Sequence, residues 1–183
     1  MSRIAQFVRA TVVAALVGTA VAIAAPAHDA QAFWYSDSSM YIRPAIGGQF
    51  SGANFFNQFR MGADLYFNFP GNDGRMQMGP QLHFGFAGGV TDINVGGSFK
   101  YNFLDAAGSL PIVPYVNGGL SLHGIIGGGD GIAIGPRFGG GFDYWVTQKI
   151  GVGASLDFDL GYGSDGSVFY FAPQFMVGAQ FKL

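Results

Sequence analysis

The residues best suited to chemistry are two histidines, His83 and His123, together with several aspartates and a serine. Ser121 stands two positions before His123, and Asp157 and Asp159 are also two positions apart. A serine, a histidine and an aspartate can form a hydrolase triad, in which the histidine takes the serine proton and the aspartate orients the histidine. Whether these groups could meet depends on the elements that carry them.

Other kinds of site find less support in the sequence. The chain has no cysteine and three histidines that are far apart, so structural zinc and thiol catalysis are excluded. The run Gly127–Gly131 reads GGGDG, but calcium repeats need several copies and a phosphate loop needs a following helix and lysine. We interpret this run as a hairpin loop and expect neither a cofactor nor a metal.

The composition narrows the class of protein. The 183 residues include 31 glycines and 19 phenylalanines but only 11% charged residues, whereas soluble domains carry about 25%. Half of the residues are hydrophobic, which excludes a disordered chain. The formal net charge of -2 and the lack of a basic cluster disfavour nucleic-acid binding. The chain therefore has too few charges to coat a surface that faces water.

The first 32 residues predict a secretory signal peptide. Arg3 and Arg9 precede an apolar run that extends from Ala10 to Ala25, and an Ala-x-Ala triplet ends at Ala32. The apolar run is shorter than the roughly 20 residues that a spanning helix needs, which disfavours a membrane anchor. We therefore predict a signal peptide at 1–32 and a single domain at 33–183.

The remainder of the chain alternates between apolar and polar or small residues. In one stretch, Ile150, Val152, Ala154 and Leu156 alternate with glycines and Ser155. Strict alternation over eight to twelve residues indicates β-strands, not helices. Eight such stretches are predicted, at about 41–50, 59–69, 77–87, 93–103, 112–123, 132–146, 150–162 and 168–183.

The connections between these stretches are short and contain turn residues. Asp73-Gly74, Asp130-Gly131 and Asp165-Gly166 are hairpin dipeptides whose residues tolerate positive φ, and Gly88-Gly89 marks another turn. Short connections make consecutive strands antiparallel neighbours. The sequence therefore predicts an all-β, eight-stranded, antiparallel up-and-down arrangement.

The distribution of charge decides which face of the strands meets water. Eight charged residues fall in predicted turns or near the mature N-terminus: Asp37, Asp73, Arg75, Asp92, Asp105, Asp130, Lys149 and Asp165. All the others after residue 32 lie on the polar face of a strand. A soluble ligand-carrying barrel would place charge on its outside, whereas here the charged face is otherwise small and glycine-rich, as suits the inside of a tight tube.

These features predict a transmembrane β-barrel with its apolar face toward lipid. Strands of ten to twelve residues, tilted by about 40°, cover roughly 25–30 Å, which matches the apolar band of an outer-membrane barrel. An interior this narrow is filled by side chains, so its charges must be paired. The predicted lumen network consists of Arg43, Arg60, Asp64, His83, Lys100, Arg137, Asp143, Asp157, Asp159 and Lys182.

Two segments resemble the OmpA-like outer-membrane β-barrel superfamily. The stretch 139–152, GGGFDYWVTQKIGV, is similar to a hairpin of that group in which a glycine-rich strand ends in an aromatic pair before a tight turn. The stretch 114–119, PYVNGG, is similar to the strand before it. The last strand, which ends Phe181-Lys182-Leu183, resembles the C-terminal signal for outer-membrane assembly, although that signal usually ends in Phe or Trp.

The resemblance implies a small outer-membrane protein of a Gram-negative bacterium. Eight strands bring the C-terminus back to the side of the mature N-terminus, so we expect both ends in the periplasm. We expect its partners to be outer-membrane lipid, lipopolysaccharide and the assembly machinery, with no nucleic acid, and we expect a monomer. The leading hypothesis is a non-catalytic structural or surface-interaction role.

Two alternatives stay open. The first is a narrow pore for small solutes. The second is a lipid-modifying enzyme: lipid A deacylases of the outer membrane use a His-x-Ser pair, but here the order is Ser121-Leu122-His123, and the rest of that family's pattern is missing.

Overall fold

The chain folds into a single closed barrel. The computed structural model describes residues 40–50, 57–107, 111–127, 131–163 and 169–183, so the predicted signal peptide lies outside the described residues. Eight antiparallel strands follow one another in sequence order around the barrel, and β8 pairs with β1. The strands are β1 Met40–Gln49, β2 Gln58–Asn68, β3 Met76–Ala87, β4 Val90–Asn102, β5 Ile112–Ile126, β6 Gly131–Trp145, β7 Ile150–Gly163 and β8 Phe169–Lys182.

This architecture confirms the predicted fold class, and the strand bounds differ from the predicted ones by only a few residues. We call the end where β1 begins and β8 ends the terminal end, and the opposite end the far end. Besides the strands, the structure describes a short 3-10 helix, Leu104–Ala107, in the connection between β4 and β5. No helix in the described ranges is long and apolar enough to cross a membrane.

Two of the predicted turns have the backbone that their residues favour. Asp73 and Gly74 both have positive φ, and the Arg75 amide donates to the Asn72 carbonyl across the turn. Gly88 and Gly89 form the whole connection between β3 and β4, also with positive φ. Positive φ at both central positions matches the twist of the flanking strands and gives tight hairpins.

The alternation of the sequence becomes an outside and an inside. Leu120, Ile134 and Leu156 point outward, with 62%, 58% and 49% of their surface exposed. The neighbouring inward positions are buried, among them Ser121 and Asp157. An unbroken apolar exterior of this extent is stable only against a medium such as lipid, because water would leave hundreds of Å² of apolar surface uncovered.

Gly-Pro pairs coincide with interruptions in the pairing of neighbouring strands. Opposite Gly79-Pro80, the pairing of β2 with β3 skips two residues, and opposite Gly135-Pro136 the pairing of β6 with β7 does the same. A Cβ on Gly79 would lie 1.8 Å from the Leu65 carbonyl oxygen, so only glycine permits this approach. Proline has no N–H to donate and is therefore tolerated at such interruptions.

Apolar side chains close the terminal end of the lumen. Tyr41, Tyr66, Leu104, Val113 and Trp145 form a buried cluster, with the rings of Tyr41 and Trp145 edge to face at 6.1 Å. The 3-10 helix supplies Leu104, so this connection folds over the mouth of the barrel. We call these five residues the terminal plug.

A surface ion pair holds the connection that carries Leu104. Arg75, in the turn between β2 and β3, donates two hydrogen bonds of 2.7 and 2.8 Å to the carboxylate of Asp105. These bonds from the guanidinium lower the pKa of Asp105 below its usual value. The pair therefore stays charged in mildly acidic solution, as a bidentate geometry favours.

The face assignment predicts the effect of a charge on the outside. We expect Leu156→Arg to lower the free energy of unfolding by about 2–4 kcal/mol, because the arginine would enter the apolar middle of the membrane. Ser98→Ala, on the inner face, is the control and should change it by less than about 1 kcal/mol. Urea unfolding of barrels refolded in lipid vesicles measures both, and equal costs would contradict the assignment.

Candidate functional site: the charged network of the lumen

The interior of the barrel contains a dense set of charged groups. Among the predicted network residues, the structure buries nine in the lumen: Arg43, Arg60, Asp64, His83, Lys100, Arg137, Asp143, Asp157 and Asp159. The tenth, Lys182, is only half-buried near the end of β8, and no ion pair of its side chain occurs within the described ranges. Lys182 therefore lies at the rim.

Arg137 makes the central contacts at mid-height in the lumen. Its Nη2 lies 3.0 Å from Asp157 Oδ2 on the neighbouring β7, and its Nη1 donates to Gln81 Oε1 at 2.8 Å, on the opposite side of the barrel. Asn117 and Ser155 also donate to Asp157, at 2.7 and 3.0 Å. Arg137 thus pairs with an aspartate of the adjacent strand and also reaches a side chain on β3.

A second pair at this height joins adjacent strands. His83 on β3 lies 3.0 Å from Asp64 on β2 through its Nε2 atom. The Nδ1 atom of His83 has no partner among the described residues. A neutral imidazole with its proton on Nε2 satisfies this single contact.

Toward the terminal end, two cations lie among tyrosine rings. Lys100 on β4 reaches over β5 to an ion pair with Asp143 on β6, and its ammonium lies 4.2 Å from the centre of the Tyr115 ring. Arg43 on β1 donates to the Tyr115 hydroxyl from across the lumen. Such cation–π contacts are strengthened where water is excluded. This layer lies directly above the terminal plug.

Toward the far end, four charged or titratable groups form one cluster. The Arg60 guanidinium is 3.3 Å from Asp92, and both ring nitrogens of His123 face carboxylates: Nδ1 lies 2.9 Å from Asp92 and Nε2 lies 2.9 Å from Asp159. The Tyr170 hydroxyl is 3.4 Å from the other oxygen of Asp159. We call Arg60, Asp92, His123 and Asp159 the far cluster.

Asp92 is the member of this cluster whose predicted position, in a turn, was wrong. Its assignment to a turn assumed a longer connection, but the β3–β4 turn consists of Gly88 and Gly89 alone. Strand β4 therefore begins at Val90, and alternation places Asp92 inside, where it is fully buried. The signal that could have found it is the Gly-Gly dipeptide, which is typical of two-residue hairpins.

Small residues let the far cluster reach across strands. Arg60 on β2 and Asp92 on β4 both lie opposite Gly85 on β3, and they meet above it. Likewise His123 on β5, which lies opposite Ala133 on β6, reaches Asp159 on β7, which lies opposite Arg137, and Gly135 is the inner-face residue between these two positions of β6. Larger inward side chains at these places would separate the charges.

The geometry does not favour a serine hydrolase. Both nitrogens of His123 are occupied by carboxylates, and Ser121 is within 3.2 Å of the Gln81 amide nitrogen instead. A serine nucleophile needs a histidine nitrogen within hydrogen-bond reach. In the part of the chain that the structure describes, no group of histidines and carboxylates has the arrangement of a metal site.

Comparison with known proteins identifies the fold. No family model matches the chain, and neither does any curated protein. Among solved structures, Neisserial surface protein A superposes with a TM-score of 0.65 at 17% identity, covering 80% of this chain and 98% of that one. The fold is that of the small bacterial outer-membrane β-barrels.

Two further structures agree with this assignment. A de novo designed transmembrane β-barrel superposes with a TM-score of 0.51 at 14% identity, covering 80% of this chain and 96% of the design. The N-terminal β-barrel domain of Pseudomonas aeruginosa OprF superposes with a TM-score of 0.50 at 19% identity, covering 77% and 97%. The predicted resemblance to small eight-stranded outer-membrane barrels is confirmed, and the predicted location, the bacterial outer membrane, is the one that this fold occupies.

The middle of the network yields a test of buried pairing. We expect Arg137→Met to lower the free energy of unfolding by about 3–5 kcal/mol, because Asp157 would keep a buried charge without its cation. Adding Asp157→Asn to this variant should recover part of the loss, since the neutral amide needs no counter-charge. Urea unfolding of the two variants measures this, and a cost below about 1 kcal/mol for Arg137→Met would mean that water hydrates Asp157.

Proposed function

We propose that this protein is a small β-barrel of a Gram-negative outer membrane with a non-catalytic role in envelope structure or surface interaction. The observation that carries the proposal is the interior: ion pairs and hydrogen bonds join opposite walls at several heights, and the terminal plug closes one end. A lumen filled in this way acts as a stabilising core. The barrel then offers its environment the outer apolar surface and the far-end connections.

The partners that we propose follow from this surface. The apolar exterior binds outer-membrane lipid and lipopolysaccharide. The assembly machinery recognises the last strand, in which Phe181 and Leu183 face outward. The first 32 residues act as the signal peptide. A monomer suffices, because β1 pairs with β8 and the closed sheet has no free edge for a second chain.

We propose no enzymatic activity, because the groups that could do chemistry are committed to one another inside the barrel. His123 is fully buried and is flanked by two carboxylates, and Ser121 is also buried. A lipid substrate would meet the outer face, which is apolar. Expression of a lipid-modifying enzyme would alter the mass of lipid A, so an unchanged lipid A profile is the expected outcome.

A narrow pore is the second candidate, and one observation favours it. Several buried polar atoms have no partner among the described residues, including the side-chain amide nitrogens of Gln49 and Gln174 and the Nε atom of Arg43. Buried polar groups without protein partners commonly bind water. The terminal plug argues against a continuous path at rest.

The proposal predicts that the purified barrel does not conduct. In planar bilayers we expect no sustained current from the wild-type protein near neutral pH. The control is the double variant Leu104→Ser with Trp145→Ser, which removes apolar bulk from the terminal plug. Current in this control would identify the plug as the barrier, whereas steady current in the wild type would contradict the filled lumen and favour the pore.

Orientation in the membrane can be tested by labelling, since the chain has no cysteine. Both chain ends should be periplasmic, so the far-end position Asn57, once changed to cysteine, should react with an impermeant maleimide on intact cells. Lys149→Cys, in the turn between β6 and β7 at the terminal end, is the matched control. It should react only after the outer membrane is opened, and the reverse pattern would overturn the proposed topology.

A further inference from the structure

The arrangement around His123 requires more protons than a neutral imidazole carries. Nδ1 lies 2.9 and 3.1 Å from the two oxygens of Asp92, and Nε2 lies 2.9 Å from Asp159 Oδ2. Ionised carboxylates only accept hydrogen bonds, and a neutral imidazole donates only one. Two carboxylates on opposite sides of the ring are satisfied together only by the imidazolium, which donates from both nitrogens.

A competing arrangement involves Asn94. Its Nδ2 atom lies 2.8 Å from His123 Nε2 and could donate to that nitrogen if the imidazole were neutral. Asp159 would then face the lone pair of Nε2 at 2.9 Å and keep only the hydroxyl of Tyr170, at 3.4 Å. Because a buried carboxylate that keeps only one long hydrogen bond is costly, the protonated ring is the better solution.

The charge balance of the lumen leads to the same conclusion. The buried cations are Arg43, Arg60, Lys100 and Arg137, whereas the buried acids are Asp64, Asp92, Asp143, Asp157 and Asp159. Within the ranges that the structure describes, the buried acids thus outnumber the buried permanent cations by one. Protonated His123 balances these charges, and it does so between the two carboxylates that would otherwise repel each other.

Every strand that faces His123 contributes to its surroundings. The charged or titratable groups are Arg60 on β2, Asp92 on β4, Asp159 on β7 and Tyr170 on β8, whose ring packs edge to face on His123 at 5.7 Å. On β3, His83 is paired with Asp64, and β6 places uncharged Ala133 opposite His123 and the cation Arg137 opposite Asp159. On β1, Gln49 accepts from Arg60. Only His123 among these groups bridges two acids.

We propose that His123 is a proton-operated latch that closes the far half of the lumen. In its protonated form the ring, on β5, donates hydrogen bonds to carboxylates on β4 and β7. The ion pair of Arg60 with the β4 carboxylate connects β2 to the same group. Loss of the proton leaves the imidazole with a single N–H for its two carboxylates, so one of the two contacts is lost, the side chains of Asp92 and Asp159 move apart, and water and ions enter. This latch goes beyond the proposed surface role and does not depend on it.

The protonated form of His123 makes both contacts, and this decides whether the stability of the barrel rises or falls with pH. The latch contributes stability while His123 is protonated, and this contribution disappears as the pH rises and the ring loses its proton. The barrel should therefore be more stable, and more tightly closed, at about pH 6 than at about pH 9.

Imidazole NMR tests the protonation state directly, in the intact wild-type protein. With nitrogen-15-labelled histidine, we expect both ring nitrogens of His123 to carry protons at about pH 7.5, where a free imidazole is mostly neutral. His83 is the internal control, because it contacts one carboxylate and should be neutral. A neutral His123 at this pH, with its proton on Nδ1 alone, would overturn the proposal.

Three variants test the consequence for the barrel. His123→Gln is neutral at every pH, so its urea midpoint should be low and should not change between about pH 6 and about pH 9, like the wild type at high pH. His123→Lys keeps a cation over this range, so its midpoint should stay high at both values. His83→Gln, the matched control, should retain the wild-type fall with rising pH.

Bilayer conductance reports the opening itself. In the Leu104→Ser, Trp145→Ser background, which removes apolar bulk from the terminal plug, the barrel with and without His83→Gln should show brief current steps at about pH 9 that are at least several-fold rarer at about pH 6, whereas adding His123→Lys should keep it silent at both. If His123→Gln does not refold, the His123→Lys and His83→Gln pair still decides the outcome. A pH response in His123→Lys equal to that of its parent barrel, or one abolished by His83→Gln, would overturn the latch.

Discussion

Closing eight strands into one tube leaves an interior only about as wide as the side chains that fill it, and the rest of the structure depends on this constraint. A charge that points inward cannot reach bulk water, so it must find its counter-charge on another strand. The barrel meets this demand with ion pairs between neighbouring strands, such as Arg137 with Asp157, and with ion pairs over an intervening strand, such as Lys100 with Asp143.

The same narrowness explains the glycines. A strand whose inner positions all carried large side chains could neither curve so tightly nor let its two neighbours touch above it. Gly85 separates the strands of Arg60 and Asp92, and the meeting of these two charges requires the missing side chain between them. Gly135 plays the corresponding part between His123 and Asp159. Glycines on the inner face therefore let charges on non-adjacent strands meet, and they also let the strands curve.

Much of this fold could be predicted from the sequence, because two-residue periodicity and turn chemistry are local. The alternation around Leu156 fixes which side chains face out, and Asp73-Gly74 and Gly88-Gly89 fix hairpins whose backbone the structure shows. That a set of charges lies inside also follows from alternation. What could not be predicted is which charge meets which, since this depends on register, on strand tilt and on side-chain reach across a third strand.

Asp92 illustrates how one residue in a turn changes the chemistry of the site. If the β3–β4 connection took one more residue from the start of β4, so that the pairing register shifted by one, the inner and outer positions of β4 would exchange, and Asp92 would leave the lumen. His123 would then face one carboxylate and would need only one proton, as His83 does with Asp64. The protonation of a histidine in the middle of a membrane protein thus depends on a glycine pair more than thirty residues earlier.

The two ends of the lumen differ in what holds them closed, and this difference decides where the barrel can respond to its surroundings. The terminal plug is apolar, and its packing does not depend on a proton. The far cluster is ionic, and its strength depends on the protonation of His123. Moderate changes of pH therefore act on the far half first, while the terminal half keeps the barrel together. The charged interior confines any response to the end that our proposed topology places toward the cell exterior.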